Sequence, residues 1–541
     1  MTDLGDDRAA QRGLEGLSPF ELKGHLMDLA GASSRKHAHA MLNAGRGNPN
    51  WTAAPPREAF FLLGRFAVLE TRRHWNEWPA VAGMPVSDGI TERFSAFLDQ
   101  NAGEPGADLL RRVLNRVEGH RSDAVLLELV DGIIGDNYPV PDRILPFVAE
   151  SVHEYLAGAM GGRPPETPYD LFAVEGGTAA MCYVFDSLQT NRVLRKGDRI
   201  ALMTPIFTPY LEIPHLERYD FDVVEVSASR GTEGDFHTWD YDDAELDKLA
   251  DPSVRMVCLV NPSNPPSVAL SERALNRIRD IVEKRNRDLV IVTDDVYGTF
   301  VRGFTSLMEV CPRNTIGVYS FSKYFGATGW RLGVIALQPD NVVDDRIARL
   351  SGEDAEAVRR RYASLSLDVP GLRFIDRMVA DSRSVALNHT AGLSTPQQVQ
   401  MALFALFALT HTDEEYHEPV MRVLERRMTA LSEGLEVPFP ANALRAGYYV
   451  ELDLLAWAER HWGTEFAEWM RANYEPVDPV LRLAEEDGVV LLNGGGFDGP
   501  EWSVRVSLAN LEHEAYGRIG RALKQIGAEY HQRFTSSADR S

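Results

Sequence analysis

The sequence predicts an α/β protein: a large three-layer α/β/α domain on a seven-stranded, mostly parallel sheet, followed by a smaller α+β domain. Two patterns predict it. Between about residues 168 and 337, seven short apolar runs alternate with helical segments: DLFAVEGG, RIALMTP, FDVVEVS, VRMVCLVNP, LVIVTDDVY, TIGVYSFSK and RLGVIAL. Apolar runs of strand length separated by helices are what a parallel sheet covered on both faces requires. Beyond about residue 445, the runs RAGYYVELDLL, DGVVLLNGGGF and WSVRVSLAN supply strands for the second domain.

The elements follow in order. The first sixteen residues are polar and are expected to be flexible. Order is expected from residue 17, because LSPFELKGHLMDLA carries a helix start: Ser18 as N-cap, Pro19 in the first position, Glu21 to close a capping box, and Leu17 opposite Leu22 as a staple. A Gly-rich segment, LNAGRGNPNW at 42–51, precedes the helical stretch EAFFLLGRFAVLETRRHW. Residues 100–150 read as largely helical, broken by AGEPGAD and GDNYPVPDR. After the seven strands come a helix-rich stretch, 340–390, and a buried helix, STPQQVQMALFALFAL. The expected division is 1–16 flexible, 17–135 helical segments contributing to the small domain, 136–390 the large domain, and 391–541 the C-terminal small domain. No internal repeat or low-complexity segment interrupts it.

With 541 residues, 44% of them hydrophobic, the chain reads as a soluble globular enzyme. Its formal charge of −23 comes from 79 acidic and 56 basic residues with no long basic run, which argues against nucleic acid as a partner. No segment approaches the roughly 18 apolar residues of a membrane span, and MTDLGDDRAAQRGLEG has no apolar signal core. A cytoplasmic location is expected. Cys182, Cys258 and Cys311 lack metal-ligand spacing and read as reduced packing residues, and no metal site is expected.

Chemistry gathers at the carboxyl ends of the apolar runs, where open α/β sheets bind ligands. Ser320 to Gly333, SFSKYFGATGWRLG, holds one lysine, Lys323, among hydroxyls, glycines and an arginine. An amine so placed is a candidate for covalent chemistry. VEGGTAAMCYVF sets Gly177 and Thr178 at a strand end immediately before a helix, where backbone N–H groups, a hydroxyl and the helix N-terminus suit a phosphate. Two other runs end in VNPSNPP and TDDVY.

The GGTAA, NPSNPP, DDVY and SFSK segments, in that order and followed by VRVSLAN, resemble the signature of the pyridoxal-phosphate (PLP) aminotransferases of fold type I. The resemblance implies that Lys323 forms a Schiff base with PLP and carries protons between the substrate Cα and the cofactor. Ser320 and Arg331, with Gly177 and Thr178, match the phosphate ligands, and the fork of Arg331 suits a dianion. Asp294 matches the partner of the pyridine nitrogen; Asp295 is the nearest alternative, but the D-x-x-Y spacing to Tyr297 selects Asp294. Tyr297 and Asn264 match the donors to the ring's phenolic oxygen, and Phe207 the aromatic stacked on the ring. Arg505 matches the arginine that grips the substrate α-carboxylate. Tyr138, in GDNYPVPDR, matches a tyrosine that reaches across a dimer to the neighbouring phosphate, which implies a homodimer or a higher oligomer built of dimers.

The chain is longer than most fold type I aminotransferases, with extra residues at the N-terminus and at 80–130, 340–390 and 455–480. That length, with SPFELKGHLMDLA, LNAGRGNPNW and GDNYP, resembles the aspartate 4-decarboxylases, also called aspartate β-decarboxylases, from about residue 17 to 530. This implies conversion of L-aspartate to L-alanine and CO2, with aspartate aminotransferase activity on 2-oxo acids as a second reaction. In plain aspartate aminotransferases an arginine shortly before an S-N-P stretch grips the distal carboxylate. Here the counterpart is NHTAGLSTP, with Asn388, His389 and Thr390 and no arginine. Arg46, beside Gly47 in the GRGNP loop, is the substitute candidate for a distal or gating cation, with Lys23 as a second. The alternatives are a dicarboxylate or aromatic amino-acid aminotransferase with large insertions, and a non-catalytic PLP-fold regulator. The last usually carries a basic DNA-binding domain that this sequence lacks.

Overall fold

The computed structural model describes residues 8–37, 41–73, 75, 77–117, 121–136, 143–161, 168–228, 231–233, 236–383 and 392–538. Each of the seven apolar runs forms a strand: β1 (Asp170–Val174), β2 (Arg199–Thr204), β3 (Asp222–Ser227), β4 (Val254–Val260), β5 (Val290–Asp294), β6 (Thr315–Ser320) and β7 (Gly333–Leu337). They make one sheet in the order β1-β7-β6-β5-β4-β2-β3. β7 runs antiparallel to both neighbours and every other pair is parallel.

The strands are apolar at successive positions because each face of the sheet meets its own core. Ile200 and Leu202 of β2, with Met256 and Cys258 of β4, join the larger core, whereas Ala201, Met203, Val257 and Leu259 point into a second one. That second core is closed by helix Glu272–Lys284, which Ser271 caps by accepting the Ala274 N–H, and whose buried stripe includes Leu275, Ile278 and Ile281. Helix Gly177–Thr190 covers the opposite face through Met181, Val184 and Phe185. These are the three expected layers. Helix Thr395–Thr410 is apolar nearly all round because it packs among helices Ala54–Thr71, Ser122–Ile134 and Pro146–Ala159.

The second sheet holds β8 (Tyr449–Asp453), β9 (Leu492–Asn493) and β10 (Ser503–Ser507) in the antiparallel order β8-β10-β9. The DGVVLLNGGGF run divides: Leu492–Asn493 joins this sheet, while Val489–Val490 pairs in parallel with Leu42–Asn43. That small pairing fixes the Gly-rich 44–48 loop beside β10. Helix Pro19–His37 starts as expected, with the Glu21 N–H reaching the Ser18 hydroxyl oxygen at 3.5 Å.

Order begins before residue 17. Arg8–Glu15 is helical, Gln11 is buried and donates to Asp478 Oδ1 at 2.8 Å, and Arg8 Nε pairs with Glu475 at 2.7 Å. Polar anchors fasten this helix, so a search for apolar periodicity passes over it. Among the described residues no helix is long and apolar enough to cross a membrane, and the three cysteines are free.

Candidate active site

A cleft of about 210 Å³ opens at the carboxyl ends of β4, β5 and β6, roofed by β8, β10 and the 45–48 loop. Lys323 lies three residues beyond β6. Its ammonium donates to Gly47 O at 2.9 Å, the carbonyl that also accepts the Tyr448 hydroxyl at 2.8 Å. No carboxylate pairs with Lys323 among the described residues, so the amine is held by a neutral group that it can leave.

β5 ends in Asp294, buried, with its carboxylate accepting, among the described residues, only the Val296 N–H, at 3.3 Å. Burial lifts its pKa to about 6, against the pull of that N–H and of the Lys323 ammonium. Asp295 is also buried and pushed up to about 7, but it accepts the hydroxyls of Thr293, at 2.6 Å, and Ser306. Asp294 faces the cleft and Asp295 turns into the protein, which is the geometric difference between two adjacent carboxylates. Tyr297 stands in the turn after β5, with its hydroxyl 3.1 Å from that of Tyr449.

Arg505 sits in mid-sheet on β10, opposite Glu451 of β8 and Leu492 of β9. One terminal nitrogen donates to Asn264 Oδ1 and the other to Gly45 O, both at 3.0 Å. Its guanidinium lies 4.4 Å from the Tyr449 ring and 4.9 Å from that of Phe497. Nε is buried and lacks a hydrogen-bond partner among the described residues. Arg505 itself lines the cleft, which sets a fixed cationic fork where a carboxylate can enter.

Gly177 and Thr178 open helix Gly177–Thr190 and line the cleft together with Ser320 and Arg331. Gly176, at φ 90°, tolerates no side chain: a Cβ there would meet the Arg331 guanidinium at 2.3 Å. Ser320 donates to the Ser322 hydroxyl at 2.8 Å. Arg331 donates to Thr328 O at 3.0 Å, and no carboxylate pairs with it among the described residues. Phe207 borders the cleft, edge-to-face with Phe20 at 6.2 Å between centroids.

Arg46 is exposed at the mouth and does not line the cleft, though Gly47 and Asn48 do; its Nε donates to Asn48 Oδ1 at 2.9 Å. Half-buried Lys23 has its pKa lowered by desolvation and then by the charges of Arg46 and Arg505. Three cations therefore converge at the entrance. Tyr138 and the NHT segment, Asn388, His389 and Thr390, lie outside the described residues.

The residues fit PLP. A helix N-terminus with two side-chain hydroxyls and an arginine answers a phosphate, a buried carboxylate with one weak partner answers a cationic pyridine nitrogen, and an amine without a counterion stands between them. Phe20, Asn48, Ser322, Thr328 and Tyr449 also line the cleft and were not singled out from the sequence. Of these only Tyr449 had a readable signal, as one of two adjacent tyrosines in a strand run.

The sequence profile of the family described as aminotransferase class I and II matches residues 141–523. A Pseudomonas protein named bifunctional aspartate aminotransferase and L-aspartate beta-decarboxylase is 48% identical over 528 residues, covering 97% of this chain and 98% of its own. Among solved structures, an aspartate aminotransferase double mutant from Thermus thermophilus superposes with a TM-score of 0.57 at 17% identity, covering 93% of this chain and 95% of its own. An aromatic aminotransferase from Pyrococcus horikoshii superposes with a TM-score of 0.56 at 17% identity, covering 92% and 98%. These two show the shared fold, PLP-dependent transferase fold type I. The profile match across most of the chain, together with the full-length relative, shows that the protein belongs to the class I and II aminotransferases, which are PLP-dependent enzymes.

Proposed function

We propose that the enzyme decarboxylates L-aspartate at its β-carbon, giving L-alanine and CO2, and transaminates aspartate with 2-oxo acids as a secondary reaction. The observation that carries this reading is the match along nearly the whole length of the bifunctional Pseudomonas protein, extra segments included.

In this reading Lys323 would hold the cofactor covalently and, once displaced by substrate, its amine would take up and carry the Cα proton. PLP, when bound, supplies an electron sink for the pair released at the substrate carbon. Asp294 keeps the ring nitrogen protonated, Tyr297 and Asn264 donate to the ring oxygen, and Phe207 covers the ring. Gly177, Thr178, Ser320 and Arg331 hold the phosphate. Arg505, which lines the cleft, grips the α-carboxylate and so fixes the orientation of the Cα–H bond.

The distal carboxylate has to be recognised and then released as neutral CO2. A fixed bidentate ion pair stabilises the carboxylate more than the departing CO2 and raises the barrier. Arg46, exposed and flanked by glycines, receives that carboxylate with a grip that can relax, and Gly47 contributes its backbone beside it. When the Cα-side electron demand breaks the Cβ–carboxyl bond, its electron pair remains on the substrate and Cβ then takes up a proton.

A homodimer or an oligomer built of dimers belongs to the same reading, with Tyr138 reaching the neighbouring phosphate. Phe61, Val68 and Leu69 on helix Ala54–Thr71, with Trp75 and Trp78 after it, expose an apolar surface that self-association would bury. The division at residues 135 and 390 and a cytoplasmic location complete it.

Incubation of the PLP-loaded protein with L-aspartate and no 2-oxo acid tests the proposal. Sustained, equimolar release of alanine and CO2 is expected. A plain aminotransferase stops after one half-reaction per site, and a non-catalytic regulator does not react.

A further inference from the structure

Tyr297 and Tyr449 present hydroxyls 3.1 Å apart inside the cleft. Only one proton lies between them, and the surroundings decide whose it is. The Tyr449 ring carries the Arg505 guanidinium at 4.4 Å. Burial raises the Tyr449 pKa, but the charges of Lys323 and Arg505 together with the hydrogen bond to Tyr297 bring the hydroxyl below its ordinary value. Tyr297 is raised by burial and by its neighbours Tyr449 and Tyr448. Tyr297 has a single proton, and its assignment to the cofactor oxygen commits that proton there, so the 3.1 Å bond is left for the Tyr449 hydroxyl to donate.

The loop over the cleft is shaped around this hydroxyl. A Cβ on Gly47 would stand 2.4 Å from Tyr449 Oη and 3.3 Å from Lys323 Nζ. The absent side chain at position 47 therefore makes the space in which the Tyr449 hydroxyl sits. Among the described residues the ionisable groups that face it from the packed elements are Tyr297 after β5, Lys323 after β6, Tyr448 beside it and Arg505 on β10, with no carboxylate among them.

We propose that Tyr449 is a positioning residue: its hydroxyl donates to Tyr297, directs the Tyr297 proton onto the phenolic oxygen of the cofactor, and thereby lowers the pH at which the cofactor-bound lysine nitrogen loses its proton. The inference rests on the assignment of Tyr297 to that oxygen made above. Donation to the oxygen draws its negative charge away from the adjacent protonated nitrogen, so the nitrogen gives up its proton more easily. Passing the donation through two hydroxyls strengthens it, since a hydroxyl that accepts a hydrogen bond becomes a better donor.

The test is a spectrophotometric pH titration of the visible cofactor band in four holoenzymes: wild type, Tyr449→Phe, Tyr297→Phe and the double variant. Tyr449→Phe is expected to raise the apparent pKa by about half to one pH unit, the shift that losing one ordinary hydrogen bond produces. Tyr297→Phe is expected to raise it further, and the double variant to titrate with Tyr297→Phe alone, because Tyr449 acts through Tyr297. A Tyr449→Phe titration that overlays the wild type while Tyr297→Phe is shifted overturns the inference, as does full additivity in the double variant. If Tyr297→Phe itself does not shift, the assignment of Tyr297 to the cofactor oxygen falls and takes this inference with it. Gly47→Ala, which drives the Tyr449 hydroxyl from its place, supplies the same measurement should Tyr449→Phe not retain cofactor: an upward shift is expected, and an unshifted titration overturns the inference.

Discussion

Lys323 and Gly47 are joined across 276 residues of sequence by a 2.9 Å hydrogen bond from the ammonium to the carbonyl. The bond ties the floor of the cleft to its N-terminal roof. If Lys323 carries the cofactor as proposed, loading takes the amine away from that carbonyl and leaves the Tyr448 hydroxyl to hold the loop. Borohydride reduction of the loaded enzyme is therefore expected to fix the cofactor on one peptide, the one containing Lys323. Label on another lysine would remove Lys323 from this position.

Asp294 carries a burial cost that the proposed pairing with the cofactor would offset. Its carboxyl titrates at about 6 in the folded, cofactor-free chain, above the unfolded value near 4. The pKa is raised on folding, so its contribution to stability is fully present below the unfolded value and is lost as the pH rises through about 6. At pH 8 the buried charge destabilises the cofactor-free chain by on the order of 2–3 kcal/mol. Asp294→Asn is expected to raise the thermal midpoint of the cofactor-free protein at pH 8, with the gain shrinking as the pH falls below 6. In the loaded enzyme the same substitution would remove the proposed partner of the ring nitrogen, and turnover is expected to fall by about a hundredfold or more while the cofactor stays bound. An unchanged midpoint at pH 8 would show that the carboxylate is not desolvated there.

Arg505 uses its two terminal nitrogens on Asn264 and Gly45 and keeps a buried Nε–H without an acceptor. A lysine at 505 offers one point charge and cannot keep both protein contacts while meeting a carboxylate. Arg505→Lys is expected to lower kcat/KM for aspartate by roughly a hundredfold, the loss of one or two charged hydrogen bonds. A decrease of less than about fivefold would place the α-carboxylate elsewhere.

The sheet was legible because each strand faces two cores, so Ile200 and Ala201 are both apolar though they point in opposite directions. The site was legible wherever chemistry follows a strand end within a few residues, as at Asp294, Lys323 and Gly177. Long-range juxtaposition was not. Nothing in RAGYYVELDLL says that Tyr449 will meet Tyr297 or that its hydroxyl will occupy the missing side chain of Gly47, since both depend on how the second sheet docks on the first. The helix Arg8–Glu15 escaped for a related reason: its anchors, Glu475 and Asp478, lie more than 460 residues away, at intervals of 467, 463 and 467.

Arg46 is the one cation of the entrance cluster that geometry leaves able to move. Arg505 is pinned by two carbonyl oxygens and two aromatic rings, and Lys23 lies 5.5 Å from the Phe20 ring on a helix. Arg46 is exposed and holds Asn48 in its own loop, between Gly45 and Gly47. Burial, and then the charges of Arg46 and Arg505, lower the pKa of Lys23, a repulsion that an incoming dicarboxylate is expected to relieve. In the proposed reading a mobile guanidinium recognises the distal carboxylate on entry and withdraws as CO2 forms. Arg46→Ala is therefore expected to slow aspartate decarboxylation by about tenfold or more, a change of about 1.4 kcal/mol or more. The half-reaction with alanine, which has no distal carboxylate, is expected to change by less than about twofold, within the range of an ordinary surface substitution. Single-turnover rates with the two amino acids give the comparison directly. Equal losses would make Arg46 structural and move the distal ligand to another residue, with His389 the first to substitute.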